Sequence, residues 1–172
     1  MFFPPLISGA CIEFRTGGFD AQWTWERLRE SGRSQGGKLT LFSAVPTIYM
    51  RLRRYFLEHI APMDKNKTEE YVAGARALRA CLCGTSALPQ PISDFWAKLL
   101  GKRVVQRYGA TEIGSVLLSA PGDAAVPAGS VGEITAGVDL KLAEGDEGEI
   151  LVHSPVPALI EGHLGSYHLD AP

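Results

Sequence analysis

Apolar positions along the chain keep two different rhythms, and the change falls near Gly114. Before it, they recur at helical spacing between short β-like runs. Asp20 can cap a helix through about Glu30 that carries Trp25 and Leu28 on one face. Ala10–Phe14 and Lys38–Ser43 read as strands, the first of them buried. Val45-Pro46-Thr47 turns into a helix whose Ile48, Leu52, Tyr55, Phe56 and Ile60 form an apolar stripe. Asn66 with Glu69 resembles a capping box for a helix over about 68–78. Arg79–Cys83 is then a strand, and the helix from Pro89 to Leu100 buries Ile92, Phe95, Trp96 and Leu99. Gly101 stops that helix, and Arg103–Gln106 is the next strand.

After Gly114 the runs shorten. Val116–Ser119, Gly132–Thr135, Val138–Leu142 and Gly148–Val152 are short strands separated by glycine, proline and acidic turns. The expected fold class is therefore α/β: a partial, mostly parallel sheet with flanking helices, followed by a smaller antiparallel β subdomain. In residue numbers this is an α/β portion over 1–114, a β subdomain over 115–155 and an irregular tail over 156–172. The acidic turn Gly145-Asp146-Glu147-Gly148 lacks the alternating oxygen ligands of a calcium loop and is read as a hairpin connection.

Composition changes this picture little. At 172 residues, with 45% hydrophobic and 21% charged residues, the chain can bury one substantial core. A net charge of −2 gives no electrostatic footprint for nucleic acid or an anionic membrane. Arg51, Arg53 and Arg54 alternate with Leu52 and Tyr55 and read as the solvated face of a helix. The apolar start Met1-Phe2-Phe3-Pro4-Pro5 is too short and proline-broken for a membrane span. Cys11, Cys81 and Cys83 suggest no disulfide framework, and two of them flank Leu82 so as to share one strand face. Buried thiols in a reducing compartment fit better than a zinc site, so an intracellular protein is expected, with cytosol, mitochondrion and peroxisome all open.

Candidate chemistry concentrates in Gln106-Arg107-Tyr108-Gly109-Ala110-Thr111-Glu112. Val104-Val105 feeds into it, so a strand is expected to break here into a loop at a sheet end, where α/β proteins bind ligands. A Tyr108 ring can stack on a base, and Gly109 lets backbone approach a ligand closely. The Thr111 hydroxyl can reach a phosphate oxygen, and Glu112 offers a hard oxygen ligand to magnesium. Tyr-Gly also marks ordinary turns, so by itself the heptad leaves a plain turn open.

Taken with other blocks, the heptad resembles a known family. Val45-Pro46-Thr47-Ile48-Tyr49, the loop Gly84-Thr85-Ser86-Ala87-Leu88-Pro89 and Tyr108-Gly109-Ala110-Thr111-Glu112 are similar, in order and spacing, to the adenylate-forming acyl-CoA synthetases. Gly129-Ser130-Val131-Gly132 and Gly148-Glu149-Ile150-Leu151-Val152 fit further segments of that family. The likeness covers roughly residues 5–155. It implies an enzyme that joins a carboxylic acid to ATP and passes the acyl group to coenzyme A. It would set Tyr108, Gly109 and Ala110 against adenine on one side, with the backbone of Gly84, Thr85 and Ser86 on the other. Thr111 would bond the α-phosphate and Glu112 would hold Mg²⁺, making these two the catalytic candidates.

Arg107 is the substrate clue that the likeness supplies. Gln-Arg-Tyr-Gly-Ala-Thr-Glu is similar to the E-R-Y-G-M-T-E of malonyl-CoA synthetases, where most of the family has no basic residue before the tyrosine. A guanidinium at the acyl-pocket wall could pair bidentately with the distal carboxylate of malonate or methylmalonate, whereas a monocarboxylate offers it no counter-charge. The alternative is an Arg107 turned outward, in a medium-chain or aryl acyl-CoA synthetase.

The same likeness marks what these residues do not contain. The family's phosphate-binding loop, the aspartate that holds the ribose hydroxyls and the lysine that activates the carboxylate match nothing here. The chain thus reads as an internal piece of such an enzyme, expected to show no synthetase activity alone; a non-catalytic, weakly adenine-binding remnant is the rival reading. Glu161–Tyr167 fits the family only loosely, so His163 and His168 are expected to be ordinary surface histidines.

Overall fold

The computed structural model describes residues 6–33, 37–110, 114–118, 127, 130–134, 136–145 and 147–153. The heptad's Thr111 and Glu112, the tail with His163 and His168, and Gly129 lie outside the described residues.

Helix α1 (Ala21–Arg33) begins where expected, with the Asp20 carboxylate accepting from the Trp23 amide at 3.0 Å. Strand β1 (Leu41–Ala44) leads through Val45 into α2 (Pro46–Tyr55), where Pro46 occupies the first turn and has no N–H of its own to satisfy. A π-helical turn, Phe56–Ile60, continues α2. Helix α3 (Lys65–Arg76), β2 (Ala80–Cys83), α4 (Gln90–Leu100) and β3 (Val105–Ala110) follow. Gly101 closes α4 in the left-handed region at φ 71°, as its position after the last apolar residue predicts. Then come β4 (Gly114–Leu118), β5 (Glu133–Ile134), β6 (Asp139–Glu144) and β7 (Glu147–His153).

The α/β expectation holds. Strands β1, β2 and β3 pair in parallel, Phe42 opposite Cys81 and Cys83 opposite Gln106. Strands β4 and β5 then extend the same sheet antiparallel, in the order β1-β2-β3-β4-β5. The β6–β7 hairpin forms a two-stranded sheet of its own, turning at Gly145 between Glu144 and Glu147.

An aromatic cluster fills the core. Trp25 of α1 stacks on Trp96 of α4 at 5.7 Å, and Tyr49 of α2 meets Trp96 edge-on at 5.5 Å. Each buried polar tip finds an acceptor: Trp25 Nε1 donates to the Leu52 carbonyl at 3.0 Å, and Trp96 Nε1 to the Tyr49 carbonyl at 3.2 Å. Helices α1 and α3 touch backbone to backbone, with a β-carbon on Gly32 falling 2.7 Å from the Gly74 Cα.

Three local expectations need correction. Ala10–Phe14 is not a strand: Cys11 and Phe14 are exposed, and the segment is tied down by Glu13, which takes a bidentate hydrogen bond from Arg27. Among the described residues no strand pairs with this run. The cap of α3 is Asp64, whose Oδ1 accepts from the Lys67 amide at 3.0 Å; the helix therefore starts before Asn66. Arg51 and Arg54 are exposed as expected, but Arg53 is half-buried, with its guanidinium 5.3 Å over the Phe95 ring.

Candidate functional site

At the end of β2 the chain leaves the sheet through the loop Gly84–Pro89 and re-enters order at α4. Gly84 is buried, Thr85, Ser86 and Ala87 are exposed, and Leu88 turns its side chain back into the core. Among the described residues Thr85 is the non-glycine residue with a left-handed backbone, at φ 74°. Such a conformation costs about 1–3 kcal/mol and persists where the surroundings hold it.

The surroundings are visible. Tyr49 of the Val-Pro-Thr-Ile-Tyr block, fully buried, donates its hydroxyl to the Leu82 carbonyl at 2.9 Å, two residues before the loop. The Leu88 amide donates to Gln106 Oε1 at 2.9 Å. Arg107 lies across Gly84, its Nε 3.0 Å and its Cγ 3.3 Å from where a β-carbon would stand. A β-carbon at 84 would make this side chain give way by a few tenths of an ångström.

Strand β3 runs further than its apolar pattern suggests. The heptad does not open directly into a loop, because β4 pairs with β3 opposite Arg107, Tyr108, Gly109 and Ala110. The register shifts between Tyr108 and Gly109, an irregularity of the kind that re-aims side chains beside sites. Alternation along the strand sets Gln106 and Tyr108 on one face and Arg107 on the other. Tyr108 is 38% exposed. It stands on the face toward which Gln106 draws the loop.

Burial governs the electrostatics. It lowers the Arg107 guanidinium's affinity for its proton, an effect opposed by the neighbouring Cys83. The same burial pushes the Cys83 thiol up to about 11, with Arg107 acting against it, and the Cys81 thiol up to about 12, with Lys102 acting against it. Both thiols are therefore protonated, inert and buried on the core face. Among the described residues no three His, Cys, Asp or Glu side chains gather as a metal would need.

Side-chain contacts thus bring together Gly84 and Arg107, and Leu88 and Gln106, while Tyr108, Gly109 and Ala110 continue β3 past its pairing with β2. Gln106 and Tyr49 carry the arrangement, and neither contact is a local pattern. The exposed tyrosine, the loop with its left-handed residue and the glycine under an arginine lie at the ends of β2 and β3.

The chain belongs to the AMP-binding enzyme family, whose model matches residues 1–162. It is 35% identical to a malonate–CoA ligase of Arabidopsis thaliana over 162 residues, which cover 89% of this chain and 26% of that protein. It is 36% identical over 139 residues to the mitochondrial malonate–CoA ligase ACSF3 of Mus musculus, covering 81% of this chain and 23% of that protein. Among solved structures, a malonyl-CoA ligase with methylmalonyl-CoA and AMP bound superposes with a TM-score of 0.67 at 28% identity, over 89% of this chain and 31% of that one. A benzoate CoA ligase from Burkholderia xenovorans superposes with a TM-score of 0.66 at 23% identity, over 90% of this chain and 29% of that one, which speaks for the fold alone. The chain spans about a quarter of the length of the curated relatives it matches. No helix of the described residues is long and apolar enough to cross a membrane.

Proposed function

We propose that these residues form the adenine and acyl side of an ATP-dependent acid–CoA ligase whose acid is malonate or methylmalonate. The observation that carries the acid is Arg107: a half-buried guanidinium held across Gly84, beside the loop that would face the nucleotide. Burial disfavours its charged form, and a second carboxylate on the acid would favour that form with paired hydrogen bonds. Tyr108 and the Thr85–Ser86 backbone would flank adenine. Thr111 would reach the α-phosphate and Glu112 would hold Mg²⁺, with ATP and coenzyme A as co-substrates.

Joining a carboxylate to a polyanionic phosphate requires the acid to be held in line and charge to be neutralised. Arg107 and Tyr108 would serve the first requirement, and Thr111 and Glu112 part of the second. Alone, the 172-residue chain is expected to show no malonate-dependent pyrophosphate exchange. In a polypeptide carrying these residues at the full length of the relatives, Arg107→Leu should lower kcat/KM for malonate at least about 100-fold, as loss of a charged bidentate contact does, and leave acetate use little changed. Equal losses for the two acids would sink the dicarboxylate reading, and an acid preference for benzoate in the unsubstituted protein would favour an aryl acyl-CoA ligase.

A further inference from the structure

We infer that Gln106 is a positioning residue, which holds the Gly84–Leu88 loop in its nucleotide-facing shape; the inference rests on the ligase reading above. The loop joins β2 to α4, and both of its ends are fixed by consecutive residues of β3. At the near end, buried Gly84 lies under Arg107. At the far end, the Leu88 amide donates to Gln106 Oε1 at 2.9 Å while the Leu88 side chain is buried in the core. Between these anchors Thr85 holds φ 74°, and Thr85, Ser86 and Ala87 are exposed.

The chemistry of the anchor is specific. A backbone N–H can only donate, so the Gln106 amide must present its oxygen. The ladder between β2 and β3 joins Leu82 to Val105 and Cys83 to Gln106 and so stops short of the Leu88 amide. The side chain of Gln106 stands in for the missing ladder carbonyl. Without it the partly buried Leu88 amide has to find water, and the loop between the anchors is released from its left-handed turn. A shift of about 1 Å in such a loop is enough to cost about 100-fold in a reaction that depends on orientation. Glutamate at this position would still accept the bond, and leucine would not.

The test uses the ¹⁵N-labelled 172-residue chain as wild type, Gln106→Leu and Gln106→Glu, with AMP as the probe. Amide exchange at Leu88 and the AMP dissociation constant are both read by NMR. In Gln106→Leu, Leu88 exchange should accelerate at least tenfold and AMP binding weaken at least tenfold, with amides of α1 and α3 unchanged. Gln106→Glu should restore both. Unaltered Leu88 protection in Gln106→Leu, or AMP binding that stays at the wild-type level once Leu88 is released, overturns the role of Gln106. A wild-type chain that protects Leu88 yet shows no AMP-induced shifts overturns the nucleotide site itself, and is told apart from the first failure by the intact hydrogen bond.

Discussion

Arg107 and Gly84 occupy one space: the Nε of the arginine lies 3.0 Å from the point where a β-carbon on the glycine would stand. The candidate selector of the acid and the candidate adenine loop are therefore in direct contact. Because the obstructing atoms belong to a side chain, Gly84→Ala should displace Arg107 and leave the backbone in place. The expected destabilisation sits at the low end of the about 1–3 kcal/mol typical of overpacking, a fall of a few degrees in Tm. The ¹⁵Nε resonance of Arg107 should move in the same variant. An unmoved resonance would show that the guanidinium stem does not lie over residue 84.

A different glycine bears on stability rather than on the site. A β-carbon on Gly74 would fall 2.3 Å from the Leu28 carbonyl oxygen and 2.9 Å from the Arg29 Cα. These are backbone atoms of α1, which cannot swing aside, so the two helices have to separate or rotate. Gly74→Ala is expected to cost about 3 kcal/mol or more, because crossing helices and the core behind them both lose contacts. Gly18→Ala, with nothing within 4 Å, is the control and should stay within about 0.5 kcal/mol. Urea unfolding of the pair checks both; equal midpoints would contradict the close crossing.

The contrast between these glycines shows what could be read from residues alone. Asp20 and Gly101 announce helix ends because capping is a local matter, decided within one turn. Trp25, Leu28, Ile92, Trp96 and Leu99 could be assigned to the core from their spacing, and they are buried. What escaped was decided at long range. Strand β3 extends to Ala110 because β4 pairs with it, and among the described residues no strand pairs with Ala10–Phe14. The cap of α3 is Asp64, one position before Lys65, and not Asn66 as the Asn66–Glu69 pattern suggested. At the candidate site, Arg107, Tyr108 and the Gly84–Ser86 loop are singled out by family likeness. The Gln106–Leu88 bond that couples them spans 18 positions, and no periodicity reports such a contact.

The two buried thiols give the fold a pH dependence. Burial raises Cys83 from the ordinary 9.0 to about 11 and Cys81 to about 12, and also raises Tyr71 from 10.0 to about 12. Below the ordinary thiol value both states keep their protons and stability is unaffected by these groups. Above 9.0 the unfolded chain releases thiol protons that the fold retains, so stability falls as pH rises toward 11 and 12 and levels off only when the folded thiols ionise too. Urea midpoints should therefore drop steadily above pH 9, and the double variant Cys81→Ala/Cys83→Ala should show a shallower drop. Thiol titration with an aromatic disulfide reagent gives an independent reading. Exposed Cys11 should react at once in the native chain, whereas Cys81 and Cys83 should react only on unfolding. Equal, immediate reaction of all the cysteines would show that the β2 face is open, and would remove the reason for the alkaline loss of stability.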